Sequence, residues 1–367
     1  MITGMKDFLV NELVKLTAIP SVSGEEGEIL GYLEDCLTSM GLPAVRQRVE
    51  EQWYNLIINH RENNRLIITA HVDTLPPLDG IPPRPRVDNG AIWGLGACDD
   101  KAGIAIILAL LIRFCRELEV LPVTFAFLVD EENTGKGSEY LAQEVSHPWG
   151  IVLEPTNLKI CHCEAGSLEI EFIAKGKMAH GSEVEKGENA IDKALKVIEG
   201  LRGLSFLGTE HPFLGESLMN ILQITGGDGT LRIPEACRAL IDFRILPQQD
   251  IEKNAQEIAQ LLEKGEVEYR FADVSLPYEL SPQEWIVQAL SRAFEIATGR
   301  KATLGGMKSW TDAAHLLEGG VQPVVFGPGS LHLCHTPMEK VDIQELWLAY
   351  KTLEALLKNL IPKNTPS

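Results

Sequence analysis

At 367 residues, and roughly 150 residues per domain, the chain predicts two domains and buries about three quarters of its unfolded surface without disulfide staples. Its 33 Lys and Arg against 52 Asp and Glu give a formal charge of −19, which argues against nucleic acid and anionic membrane as partners, because both reward positive charge. Seven cysteines without framework spacing suggest reduced thiols and a cytoplasmic location. The N-terminal segment lacks the pattern of a signal peptide, and the longest apolar run, 102–112, falls short of the ~20 residues that span a bilayer.

Segment 5–18 places Phe8, Leu9, Leu13 and Leu16 near helical spacing, and 29–40 repeats the pattern until Gly41-Leu42-Pro43. Strand-like apolar runs follow at 55–58, 66–70, 123–129 and 151–153, with an apolar helix at 101–114 between the second and third. Such alternation predicts a βαβ sheet covered on both faces. Past Gly166 the texture changes. Segment 167–175 alternates apolar and polar, and a helix (190–201), strands (217–225, 238–244) and a second helix (250–264) come next. Strand, helix, strand, strand, helix, strand is the order of a split βαβ sandwich. Beyond Ser281-Pro282 the chain returns to helices at 284–298 and 311–317, a buried strand at 323–326 and a final helix at 343–360. The expected fold class is α/β: a mixed-sheet domain over 1–166 and 280–367, interrupted by an α+β sandwich over 167–279.

The chemistry falls at strand ends, where open α/β sheets hold ligands. Run 66–70 leads into His71-Val72-Asp73, and alternate strand residues share a face, so His71 and Asp73 point the same way. A metal-binding imidazole usually gives its other N–H to a carboxylate. Asp99-Asp100 opens the apolar helix; one acid suffices for a cap, and two exceed that need. Run 123–129 ends in Asp130-Glu131-Glu132, three adjacent acids that call for a cation or a fully wet loop. Glu154 ends a further run, and the last strand continues to His332 and His335. Histidine and carboxylates together suit zinc, cobalt or manganese. A metal pair needs one bridging carboxylate, and a Glu beside the last ligand can serve as general base. Cys161-His162-Cys163 is a poorer candidate, since in a strand its thiols share one face and the histidine takes the other.

HVDTLPP, GLGACDDKAGIA, VDEENTGKGS, LEPT and CHTP resemble, in that order, the motifs of the M20 metallopeptidases, which include acetylornithine deacetylase, succinyl-diaminopimelate desuccinylase and peptidase T. The resemblance implies a zinc-exopeptidase-type catalytic domain with an inserted lid and dimerisation domain, hence a homodimer. It implies two divalent ions, zinc first, with cobalt or manganese as alternatives. His71 and Glu154 would bind one ion, Glu132 and His335 the other, and Asp99 would bridge them, Lys101 fixing the register. Glu131 would be the general base and Asp73 the partner of His71, with a cis peptide at Asp99–Asp100. In the insert, His180 would reach the partner subunit's site and polarise the scissile carbonyl. Asn220 and Arg244 would contact substrate, Arg244 gripping a carboxylate. The implied activity is hydrolysis of an N-acyl amino acid, with a small-peptide aminopeptidase of the peptidase T type as the alternative. A cysteine hydrolase using Cys98 or Cys334 and a non-catalytic binding module are the remaining rivals. The chain departs from the family at Leu231-Arg232-Ile233-Pro234, where Asn-Val-Ile-Pro is frequent, and at Trp310, where a small residue is usual.

Overall fold

The computed structural model describes residues 4–51, 53–78 and 84–361. They fall into two compact units, one drawn from Met1–His162, Leu280–Gly305 and Thr311–Ser367, the other from Cys163–Glu279 and Gly306–Trp310.

The first unit is built on a mixed sheet with strands in the order Ala44–Arg48, Tyr54–Ile58, Val123–Leu128, Leu66–His71, Trp149–Val152 and Gln322–Val325, followed by the start of Ile160–Glu164. Four neighbours, Val123–Leu128, Leu66–His71, Trp149–Val152 and Gln322–Val325, run parallel. Tyr54–Ile58 pairs antiparallel on both of its sides. Every residue of Leu66–His71 and Val123–Leu128 is buried, which is why those sequences run apolar without alternation. The helix Lys101–Phe114 packs on Leu66–His71 and against the helices Met5–Ala18 and Ile343–Leu360. It is apolar around almost its whole circumference because it lies inside the core, not on its rim.

Several short elements of this unit have no clear sequence signal. The helix Lys136–Glu144 buries only Gly137, Ser138 and Leu141, too few for an apolar stripe. Arg86–Asp88, Ala91–Trp93 and Lys340–Asp342 are three-residue strands that form a separate small sheet. Among the described residues no helix is long and apolar enough to cross a membrane.

The second unit is a four-stranded antiparallel sheet in the order Met219–Gly226, Ala236–Ile245, Gly166–Lys175 and Glu268–Ser275, with helices Ala190–Leu201 and Ile251–Lys264. Gly166–Lys175 turns Leu168, Ile170, Phe172 and Ala174 into a core shared with Phe243, Ile198 and Leu262, and this produces its period of two. The unit also takes in residues 306–310, which a continuous insert at 167–279 does not contain. Met307 accepts the Ala165 N–H at 3.0 Å, and a Cβ on Gly306 would meet Leu214 Cδ2 at 2.6 Å and Cys163 Sγ at 2.8 Å.

Candidate metal centre

Because the four central strands share one polarity, their carboxyl ends open on one side of the sheet. Leu66–His71 delivers His71 and Asp73 there, Val123–Leu128 delivers Glu131 and Glu132, and Trp149–Val152 delivers Glu154. The loop after Gln322–Val325 carries His335. That loop passes close to Cys98 at Gly329, where φ is +88° and a Cβ would lie 2.4 Å from the Cys98 Cβ, so glycine is required.

Asp99 stands between two imidazoles. Its Oδ1 is 3.0 Å from His71 Nε2 and its Oδ2 is 3.2 Å from His335 Nε2. Glu154 Oε1 lies 3.8 Å from His71 Nε2, and Glu132 Oε1 lies 2.9 Å from His335 Nε2. Three overlapping sets thus place their ligand atoms within 4.8 Å of one another: His71, Asp99 and Glu154; Asp99, Glu132 and His335; and His71, Glu131 and Glu132. Asp73 lies 3.4 Å from His71 Nδ1 and accepts the Glu131 and Glu132 N–H groups at 3.1 and 3.0 Å.

The adjacent acids divide their work. Asp100 caps the helix, accepting the Gly103 N–H at 3.1 Å, while Asp99 enters the cluster. The peptide between them is cis. Asp130 turns away to hold its own loop, accepting from Asn133 at 2.9 Å and from the Thr134 hydroxyl. Of the three acids after Val129, two therefore belong to the cluster.

His71, Asp73, Asp99 and Glu154 are all at most 6 % exposed, so their charges are poorly screened. Burial opposes protonation of His71, yet Glu131, Asp73, Asp99 and Glu154 together hold its pKa well above the ordinary value. Burial likewise works against ionised Asp99, but hydrogen bonds from His335 and His71 hold it well below the carboxylate range. Burial pushes Glu131 up, reinforced by Asp312, Glu132 and Asp99, and pushes Glu154 up, reinforced by Asp99 and Glu131. Hydrogen bonds to Asp99 and Glu132 push His335 up to about 10. Protons here do the neutralising that divalent cations can do. Glu154 Oε1, buried and without a hydrogen bond, is an acceptor such a cation would satisfy. The donor set, imidazole nitrogen with carboxylate oxygen, fits zinc, cobalt or manganese.

A proton count tests this fit. His335 is protonated at neutral pH, and a metal ligand must be a neutral imidazole, so metal uptake must expel protons. With its pKa raised from 6.5 to about 10, the stabilisation His335 gives the metal-free fold is complete below pH 6.5 and disappears as pH rises through about 10. Zinc affinity should therefore rise with pH over that window. Calorimetry at one pH in phosphate and in Tris should reveal release of about one or two protons per chain. Equal heats in the two buffers would contradict the assignment.

Two participants escape sequence reasoning. Asp312 is 1 % exposed, and burial pushes its carboxyl up to about 7 against the opposing influence of a Ser138 hydrogen bond and the charge of His71. In sequence it is marked only by its nearness to Trp310, the position where the family usually has a small residue. Ser23 donates to Asp73 across 50 residues of chain, which no local pattern announces. The cysteine rival finds no support. Cys98 Sγ meets Cys334 Sγ at 3.4 Å, and hydrogen bonding to Cys98 together with burial pushes the Cys334 thiol up, the reverse of an activated nucleophile. None of the seven cysteines forms a disulfide.

The remaining three expected site residues belong to the second unit. His180 is exposed, with Nδ1 2.8 Å from the Ser182 hydroxyl, and its backbone pairs with Arg232. Arg244 forms an ion pair with Asp242 at 2.9 Å and keeps a buried Nη1 without a hydrogen bond. Asn220 is exposed and lies opposite Asp242 in the strand register.

Imidazoles and carboxylates gathered at the carboxyl ends of a mixed α/β sheet define the class of metal-dependent hydrolases. The profile of peptidase family M20/M25/M40 matches residues 67–359, and the chain belongs to that family, whose members cleave amide bonds of peptides or acyl amino acids. The chain is 25% identical over 357 residues to the succinyl-diaminopimelate desuccinylase of Corynebacterium glutamicum, covering 90% of this chain and 91% of that one. Among solved structures, a tripeptidase from Staphylococcus aureus superposes with a TM-score of 0.83 at 22% identity, covering 98% and 100% of the two chains. An M20 family metallo-carboxypeptidase from Sulfolobus solfataricus gives 0.80 at 19% identity, covering 96% and 99%.

Proposed function

We propose that the protein hydrolyses the amide bond of a small N-acyl amino acid, with His71 and Glu154 holding one divalent ion, Glu132 and His335 a second, and Asp99 shared between them. The observation that carries this reading is the placement of the two Asp99 oxygens against two separate imidazoles, each accompanied by its own glutamate. Bound there, the ions would acidify a water and polarise the substrate carbonyl.

The protein groups do the rest. Glu131 takes the proton of the attacking water and returns it to the leaving amine nitrogen. Burial favours its protonated form, which suits a group that must carry a proton between two steps. Asp73 fixes the His71 ring and the Glu131–Glu132 backbone. His180 of the partner subunit donates to the developing oxyanion, which requires a homodimer formed through the second unit. Arg244 holds the substrate carboxylate, since a planar guanidinium suits bidentate recognition, and Asn220 is a second substrate contact. The metal-binding domain is drawn from 1–166 and 280–367, and the inserted lid from 167–279. Zinc is the first choice of metal, with cobalt or manganese as alternatives, and the cytoplasm the location that seven cysteines without framework spacing suggest.

The test is a substrate panel. Protein reconstituted with zinc, cobalt or manganese is assayed on N-acetyl and N-succinyl amino acids and on di- and tripeptides with a free amino terminus. Higher kcat/KM on the acylated compounds supports the proposal. Preference for free peptides replaces it with an aminopeptidase on the same scaffold.

A further inference from the structure

We infer that Ser23 is a positioning residue of the metal centre, its hydroxyl fixing the Asp73 carboxylate that aligns His71 and the Glu131–Glu132 turn. The inference rests on the two-metal reading of the site. Asp73 is fully buried and accepts three hydrogen bonds: Glu131 N–H on Oδ1 at 3.1 Å, Glu132 N–H on Oδ2 at 3.0 Å, and the Ser23 hydroxyl on Oδ2 at 2.7 Å. The two amides come from the very residues that Asp73 must align, and His71, at 3.4 Å, is another. Ser23 is the anchor that belongs to none of them.

The segment bearing Ser23 is tied to the same stretch of backbone. Ser23 N–H donates to Thr74 O at 3.3 Å, Thr74 N–H to Ser21 O at 2.8 Å, and Val22 bridges Thr74 in parallel register. Glu25 N–H closes the turn onto Val22 O at 2.7 Å. Backbone and side chain of the Asp73–Thr74 stretch are thus both held by residues 21–25. Lys101, the cation that opens the neighbouring helix, spends its ammonium on Ile19 O at 2.7 Å, so the third donor to Asp73 is a neutral hydroxyl. Losing it frees the carboxylate to rotate and loosens the His71 ring and the Glu132 backbone together. Direct partners of a metal-binding histidine, the place Asp73 takes here, typically alter metal affinity or activity 10- to 100-fold, and Ser23 acts through that partner, at the lower end of the range.

Ser21 supplies the control. It lies two residues earlier in the same segment, is buried where Ser23 is half-buried, and its hydroxyl has no hydrogen-bond partner. The experiment is a zinc titration of the full chain against a chromogenic chelator. S23A should bind at least one ion about 10-fold more weakly, S23T should stay within about 2-fold of the parent, and S21A should be unchanged. At saturating zinc, S23A should lower kcat more than it raises KM. An S23A protein that keeps its melting temperature and holds both ions as tightly as the parent overturns the inference, as does an equal loss in S21A. If S23A does not fold, S23C against S23T decides, because a thiol is the weaker donor; equal zinc affinity of the two overturns it. The titration needs no substrate. Loss of zinc affinity in a protein that hydrolyses none of the panel supports Ser23's role while rejecting the proposed activity, and failure of the parent to bind zinc at the cluster overturns both.

Discussion

Replacing Glu131 by glutamine is expected to lower kcat by about 10²–10⁴ while leaving the metal content unchanged. The substitution preserves volume and removes one function, the capacity to take and return a proton. Glu131 shares its surroundings with His71 and Glu132, but each of the two sets built around Asp99 is complete without it. Its backbone N–H still reaches Asp73, so the turn that carries Glu132 is retained. A fall in kcat with little change in KM, at full metal occupancy, is the signature of a group that acts in the chemical step. Turnover near that of the parent would remove Glu131 from the role of base.

Asp99→Ala is the second large effect. Both Asp99 oxygens face imidazoles, so its loss removes a ligand from both metal sets at once. It also takes from His71 and His335 the carboxylate that neutralises them between the two sites. We expect both ions to dissociate at micromolar zinc and activity to fall to background. Glu154→Ala and Glu132→Ala, each confined to one Asp99-containing set, should each lose one ion first. Elemental analysis after gel filtration separates these outcomes. Retention of two ions by Asp99→Ala would show that the carboxylate is not shared.

The strand-tip acids and His71 could be picked out from sequence because a strand buried on both faces is an unbroken apolar run, and a run of acids at its end calls for a cation or a wet loop. Val123–Leu128 followed by Asp130-Glu131-Glu132 is such a case. The division of labour within acid runs was not legible from spacing alone. Asp99 and Asp100 are chemically identical neighbours, and only the path of the backbone sends one into the cluster and the other to Gly103 N. Asp130 looks as available as its neighbours, yet its positive φ of 65° turns it back onto Asn133 and Thr134. Ser23 and Asp312 were hard to assign for a different reason. Each acts through a contact distant in sequence, and a serine before a helix or an acid after a threonine carries no periodic signal. Residues 306–310 join the second unit through contacts such as the Ala165 N–H on Met307 O and the close packing at Gly306, details below the resolution of hydropathy.

Anomalous diffraction at the zinc edge from crystals grown with zinc addresses the shared role of Asp99 most directly. Two peaks per chain are expected, about 3.5–4 Å apart on either side of the Asp99 carboxylate, one against His71 and Glu154 and the other against Glu132 and His335. A single peak, or two peaks with Asp99 ligating neither ion, would contradict the account.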